Sequence, residues 1–468
     1  MSQLFRYISV LTLIIYIANI QTGCANIIPP TGGPKDTIPP RLVAALPKDS
    51  ATNVNTTKIN LLFDEFVEVK DVQSNLIVSP VPKNQPFVDY KLRNVTIKLR
   101  DSLEPNTTYS LNFGNALKDV NEGNISKNFI YVFSTGKTVD QNTFSGKVIL
   151  AETGKTDSTL IVLLHRDLND TAIYKSRPRY YTRLDGKGNF IFTNLPEGKF
   201  AAFVLPNEYN KKYDDSTKLF AFSDSIITIN KNTKPVTFYA YEEVKRKEQT
   251  KSSSTDKSNT KNKREDNRLR FTASLENGLQ DILTQGLDIV FNRKLKLFDS
   301  SKIILTDTNY RELKNYTVKL DTGKTKVTVK YNWKAETHLR LIILKDAVAD
   351  TSGVTLTKSD TLKFATKKES EYGSLKIRFT NADLSKNPVL QFVQMDKIVE
   401  SITITQKEIF KKLFKPGEYD LRVLFDANKN GVWDTGNYKK RKQPEVVQFL
   451  NKKLNVKADW DNEIELRF

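Results

Sequence analysis

Short runs in which apolar and polar residues alternate recur along most of the chain. Ile59-Asn60-Leu61-Leu62-Phe63, Val95-Thr96-Ile97-Lys98-Leu99, Tyr109-Ser110-Leu111-Asn112-Phe113 and Lys326-Val327-Thr328-Val329-Lys330 are examples. Period-two alternation over about five residues, bounded by turn residues, marks a half-buried strand. Leu339-Arg340-Leu341-Ile342-Ile343 alternates at its start and then runs apolar. In the body of the chain the pattern predicts a helix only over Gln406 to Leu413, and a short one. Many short strands at regular spacing predict an all-β chain of tandem β-sandwiches.

Two stretches break this pattern. Near the start, Arg6 precedes an almost unbroken apolar run from Val10 to Ile20. It is too short for a comfortable membrane span and has the form of a secretory signal over residues 1–23. It closes on Gln21-Thr22-Gly23-Cys24, and Cys24 is the only cysteine of the 468 residues. Asn26 to Pro34 and then Pro39-Pro40 are rich in proline and glycine, so residues 24–40 read as an extended tether. The second break, residues 245–267, is rich in Lys, Ser, Thr, Asn and Gln and nearly devoid of apolar side chains. Such a segment buries too little surface to offset chain entropy and is predicted to be a disordered polar linker.

The two halves repeat each other. Ile59 to Val67 (INLLFDEFV) recurs as Leu287 to Leu295 (LDIVFNRKL). Thr107-Thr108-Tyr109 leads to Ala116-Leu117-Lys118-Asp119, as Glu336-Thr337-His338-Leu339 leads to Lys345-Asp346-Ala347-Val348-Ala349-Asp350. Phe133-Ser134-Thr135 and Phe364-Ala365-Thr366 close the two units. Farther on, Leu195-Pro196-Glu197-Gly198-Lys199-Phe200 is echoed by Phe414-Lys415-Pro416-Gly417-Glu418-Tyr419. A repeat of this kind is read as duplication of whole folding units.

These residues carry resemblances. Residues 36–136 resemble a bacterial Ig-like domain of S-layer and surface proteins, through Asp36-Thr37-Ile38-Pro39-Pro40, the Phe63 and Tyr109 strands, Leu117-Lys118-Asp119 and the closing Phe133-Ser134-Thr135. Residues 268–367 resemble a second copy without the opening prolines. Residues 137–244 and 368–468 resemble the transthyretin-like modules of carboxypeptidase regulatory and pilin-type proteins, in the Pro/Gly turn before an aromatic strand. The expected fold is thus Ig-like domains alternating with transthyretin-like ones. Residues 1–24 resemble a bacterial lipoprotein signal, although Gln21 stands where that family usually has Leu. The resemblance implies a lipid on the Cys24 sulfur, cleavage before it and, with Ala25 following, the outer membrane of a Gram-negative, Bacteroidetes-like cell. Two or more acyl chains, at about 0.8 kcal/mol per buried methylene, give stable anchoring. Orientation stays open between the periplasmic face and the cell surface, with a slight lean to the surface, although the acidic residues that usually mark surface export are missing between Ala25 and Pro30 and Asp36 is the first.

A net charge of +19 first suggests nucleic acid. The lysines, however, are spread through loops and strand faces, and the densest run, Lys245 to Arg264, lies in the linker. Anionic lipid, acidic glycans or acidic proteins are the expected partners, not nucleic acid. With no cysteine pair, each domain relies on its own core.

Candidate chemistry is sparse. The two histidines, His165 and His338, have no second ligand at metal spacing, and no nucleophile elbow or phosphate loop is visible. The expected role is non-catalytic. One loop stands out: Asp426, Asn428, Asn430 and Asp434 occupy positions 1, 3, 5 and 9 around Gly431, a spacing that resembles the first part of an EF-hand calcium loop. Position 12 is Asn437 rather than Glu, so calcium would bind weakly; the other reading is an Asx-rich turn capped by Trp433. No cofactor is required, and calcium is the one the sequence admits. Trp433 and Tyr438, followed by Lys439, Lys440, Arg441 and Lys442, read either as a core tryptophan beside a solvated turn or as a partner-docking patch anchored by Trp433, Tyr438 and Arg441. The function expected is a lipid-anchored scaffold, an accessory subunit docking onto a β-barrel or other outer-membrane protein. The alternative is a surface adhesin or glycan-binding protein.

Overall fold

The computed structural model describes residues 2–19, 35–245 and 267–468. Cys24, residues 24–34 of the tether and residues 246–266 of the linker lie outside the described residues. Ser2–Asn19 is a helix, and no helix among the described residues is long and apolar enough to cross a membrane. From residue 42 onward the elements are almost all strands, as the alternation predicts. The chain divides into two compact units, residues 1–139 and 140–468.

In the first unit, Leu42–Leu46, Lys58–Phe63, Asn94–Lys98 and Phe87–Lys91 form one sheet in that order. Ile77–Ser79, Thr108–Asn112 and Ile130–Ser134 form the other, and Val67–Val69 pairs with Leu117–Asp119. The alternating residues point inward as expected: Ile59, Leu61, Phe63, Val95, Ile97, Leu111 and Phe133 share one buried core.

The second unit contains three further cores. The middle one, residues 269–364, repeats the strand order of the first unit. Phe271–Ala273, Gly286–Phe291, Lys326–Lys330 and Thr317–Leu320 form one sheet, and Ile303–Thr306, His338–Ile343 and Asp360–Thr366 lie in the other. The cores on either side of it also share a plan. Asn142–Leu150 lies between antiparallel Asn189–Leu195 and parallel Val236–Ala240, as Gly373–Thr380 lies between antiparallel Glu408–Phe414 and parallel Asp461–Arg467. The facing sheets run Tyr180–Arg183, Leu160–His165, Gly198–Pro206, Ala221–Phe222 and Lys397–Thr403, Pro388–Gln394, Gly417–Phe425, Val446–Val456. We refer to these four bodies as the first to fourth sandwiches.

The helix predicted over Gln406 to Leu413 is instead the strand Glu408–Phe414. Ile409, Leu413 and Phe414 fit a helical stripe, but Ile409, Lys411 and Leu413 also alternate with exposed Glu408, Phe410 and Lys412. Short apolar runs are ambiguous in this way. Pairing with Leu375 to Arg378 decides it, and Lys411 lays its stem along the inner row while its ammonium reaches Glu400 at 2.8 Å.

The duplication exposes one electrostatic difference. Asp119 and Asp350 are each 1 % exposed at the same place in the first and third sandwiches, paired with Val67 and Leu295. In the third, Arg293 reaches the Asp350 carboxylate at 3.1 Å. The matching residue in the first is Glu65, whose pKa is raised by partial burial and by the charges of Asp119, Asp64, Asp36 and Glu122. Glu65→Arg should therefore remove a like-charge contact and supply the missing ion pair. We expect the first sandwich to gain on the order of 1 kcal/mol, a rise of about 4–8 °C in its melting temperature by calorimetry. An unchanged or lower melting temperature would count against this account.

Candidate functional site

The loop between the strands Gly417–Phe425 and Val446–Val456 carries every side-chain site residue suggested by the sequence except Cys24. Its inner part is a hub of short hydrogen bonds. Asp426, 2 % exposed, accepts the Gly431 N–H at 2.6 Å and the Asn430 N–H at 3.2 Å. Asn428 Oδ1 accepts the Asn430 N–H at 3.0 Å, and Asn430 Oδ1 accepts the Val432 N–H at 2.7 Å. The amide groups of Asn428 and Asn430 both donate to Asp434 Oδ2. Gly431 holds φ +77°, a left-handed turn for which glycine is the natural residue.

Glu445 completes this hub. Only 9 % exposed, it accepts the Ala427 N–H at 2.8 Å with one oxygen and the Asp434 N–H at 3.0 Å with the other. Its carbonyl accepts the Trp433 indole N–H at 2.7 Å. The sequence held no signal for this role, because Glu445 lies eleven residues past Asp434 and outside any metal-loop spacing.

In this arrangement the four oxygen-bearing residues of the calcium-like spacing are brought together, and the loop closes through its own N–H groups. A cation would need both amides to turn their oxygens toward Asp434. Among the described residues no three His, Cys, Asp or Glu side chains are gathered so as to hold a metal.

The outer part of the loop packs on the second sandwich. Tyr438 is 3 % exposed, with ring centres at 5.0 Å from Phe222, 5.2 Å from Phe220, 5.9 Å from Phe203 and 6.0 Å from Tyr174. Its hydroxyl donates to the Asp170 carbonyl at 2.9 Å, and its N–H to Glu243 at 2.5 Å. Burial, then the charge of Asp170, raises the phenol pKa, so Tyr438 remains a neutral donor. Arg441 binds the Asp170 carboxylate at 3.3 Å and the carbonyls of Ser223 and Asp224 at 3.3 and 3.1 Å, with its guanidinium 4.9 Å from the Phe222 ring centre. Gln443 adds bonds to Phe222 and Asp224. Gly436 lies so close to Tyr241 that a Cβ there would be 2.6 Å from its ring. Nearby, Val447 donates to the Ala151 carbonyl at 2.8 Å.

The residues suggested as a docking patch for another protein are thus committed within the chain. Tyr438 is buried, Trp433 is half-buried against both sandwiches, and Arg441 is held by three partners. They clasp the fourth sandwich to the second. The physical reason is that a flat aromatic face on Phe203, Phe220 and Phe222 needs a cover, and one is available in the same chain.

The histidines fall elsewhere. His338 is exposed at the start of the strand His338–Ile343. His165 ends the strand Leu160–His165, 1 % exposed, with Nε2 lacking a hydrogen-bond partner and Phe203 edge-on at 5.6 Å.

Residues 36–135 match the bacterial Ig-like domain family. Among curated proteins no match is found. Similar solved structures include three proteins. Native alpha-2-macroglobulin of Escherichia coli, domains MG0-NIE-MG1, has 10 % identity and a TM-score of 0.20 over 42 % of this chain and 96 % of its own. The Bacillus anthracis TIE protein has 9 % identity and a TM-score of 0.17 over 93 % and 75 %. BcpA, the major pilin subunit of Bacillus cereus, has 11 % identity and a TM-score of 0.17 over 70 % and 98 %. Scores this low transfer nothing of those proteins' roles to this one.

Proposed function

We propose that this chain is a non-catalytic lipoprotein of a Gram-negative outer membrane, of the Bacteroidetes type, acting as a scaffold and accessory subunit of an outer-membrane protein complex. The observation that carries this reading is the order of parts: an apolar leader closed by the only cysteine, a Pro/Gly tether, then, among the described residues, β-sandwich bodies. A bacterial Ig-like domain at residues 36–135 is consistent with such a body. Acylated Cys24 would supply the membrane contact, and the rigidity gained from the clasp suits a spacer or arm.

Cys24→Ser should move the protein from the membrane fraction to the soluble one. Retention of the variant in membranes, with wild-type amounts and no protein partner recovered, would sink the lipid anchor. Affinity purification in mild detergent should recover an outer-membrane β-barrel in stoichiometric amount; isolation alone would remove the accessory-subunit role. Calcium at the 426–434 loop is a separate proposal. Calorimetric titration of the full chain tests it, heat at millimolar calcium supporting the ion and its absence leaving the closed loop described above.

A further inference from the structure

The first and third sandwiches also differ at their surface. In the first, Phe66, Leu92 and Val120 are 49, 62 and 54 % exposed. Backbone hydrogen bonds set them side by side: Val120 donates to the Phe66 carbonyl at 3.0 Å, and Val67 to the Leu92 carbonyl at 2.9 Å. The shared register identifies their counterparts in the third sandwich. Leu295 donates to the Lys324 carbonyl at 2.7 Å as Val67 does to Leu92, and Asp350 pairs with Leu295 as Asp119 pairs with Val67. Phe66 therefore corresponds to Lys294, Leu92 to Lys324 and Val120 to Thr351, all of them exposed. At the same end of the same fold, one copy carries an apolar cluster and the other a basic one. A single exposed apolar side chain needs no explanation, but three neighbouring ones that the other copy replaces with polar residues mark a surface that meets a partner.

The charges beside the two clusters say which partner fits. Next to Phe66, the carboxyl of Glu65 is raised by partial burial and then by the charges of Asp119, Asp64, Asp36 and Glu122. The field there is negative in a chain of net charge +19, although Lys91 and Arg93 flank Leu92 on its turn. In the third sandwich the matching Arg293 is taken up by Asp350 at 3.1 Å, so Lys294, Lys324 and the exposed Lys296 remain as surplus positive charge. Among the described residues none of these three lysines has an ion-pair partner, and Leu297 is exposed next to Lys296. A lysine lays its methylene stem along an apolar surface while its ammonium reaches a carboxylate or an aromatic face. The end of the third sandwich thus complements the end of the first.

We propose that the apolar, acidic end of the first sandwich docks the basic end of the third sandwich of a second copy of this chain, with Lys294 and Lys324 facing Phe66, Leu92 and Glu65. The two surfaces differ, so the contact is heterologous and joins copies head to tail, into a ring or an open filament. The inference requires neither the lipid anchor nor an outer-membrane partner.

Sedimentation velocity of the full chain in mild detergent, from micromolar to hundreds of micromolar, tests it. Species heavier than a dimer should grow with concentration at low salt and recede at high salt. Phe66→Lys with Leu92→Lys gives the first sandwich residues that the third already carries at the same places, and should weaken association about ten-fold. Lys294→Glu with Lys324→Glu should do the same from the other side. Glu65→Arg should weaken it several-fold while leaving the apolar cluster intact. The decisive sample is an equimolar mixture of the two double variants. Each keeps one competent surface, so the mixture should form a one-to-one dimer and nothing larger, whereas each variant alone stays monomeric. A wild-type chain that is monomeric throughout overturns the proposal, as does association that either double variant leaves unchanged. Absence of the dimer from the mixture overturns it too. Should Phe66→Lys with Leu92→Lys melt below the wild type in calorimetry, Val120→Thr is the milder variant, with a several-fold loss expected.

Discussion

Tyr438→Ala is expected to uncouple the fourth sandwich from the second and to cost about 3–5 kcal/mol in their joint unfolding. The ring fills a space bounded by Phe203, Phe220, Phe222 and Tyr174, so its removal leaves a cavity walled by rings that cannot close over it. The Asp170 carbonyl also loses a donor at 2.9 Å. Tyr438→Phe separates the two effects, since it keeps the ring and should cost only about 1 kcal/mol. Urea unfolding followed by tryptophan fluorescence is a suitable measurement, because Trp433 sits at the contact. Wild type should show these two bodies unfolding together, and Tyr438→Ala should show Trp433 changing environment at lower urea. Identical curves for Tyr438→Ala and wild type would mean that the clasp contributes nothing.

The second large effect is expected from acid. Burial pulls the pKa of His165 down to about 4 from an ordinary 6.5, against the opposing charge of Asp167. The folded pKa is the lower one, so between 6.5 and 4 the unfolded chain binds a proton that the folded chain does not. Stability is therefore fully present above about 6.5 and declines as pH falls toward 4, by about 3 kcal/mol in all. The geometry agrees: Nε2 faces no acceptor, and an imidazolium there would be charged, buried and unpaired. His165→Leu should flatten the pH dependence of unfolding in this window while leaving the contribution of the carboxylates below it. A variant curve that parallels the wild type from pH 6.5 to 4 would assign the loss to other groups. His338, the other histidine, is exposed and serves as an internal control through His338→Gln.

Alternation revealed the strands wherever one face of a sheet meets solvent, as at Ile59 to Phe63 and Lys326 to Lys330. Leu160 to Leu164 shows no alternation because both of its faces are covered, one by the core of the second sandwich and the other by the aromatic layer under Tyr438. A run buried on both sides carries no period to detect. Glu408–Phe414 misled for the opposite reason, having enough apolar positions to satisfy two periods at once. The hub at Asp426 was visible because its oxygen-bearing positions are local, and Glu445 was not because it joins from the far end of the same loop, eleven residues past Asp434. The clasp was invisible as a contact. Trp, Tyr and Arg in a basic loop have the same composition whether they meet another protein or a surface two hundred residues earlier in the same chain.

The clasp has a mechanical consequence. Second and fourth sandwiches are joined twice, once through the covalent path that includes residues 246–266 and the third sandwich, and once through Tyr438 and its neighbours. Tension between residue 140 and the C-terminus is borne first by the shorter, non-covalent connection. When that yields, the two sandwiches remain linked through the chain between them. Tethered partners remain at high effective concentration, so the contact re-forms once the pull ends. The aromatic contact at Tyr438 thus decides how the second and fourth sandwiches share a load.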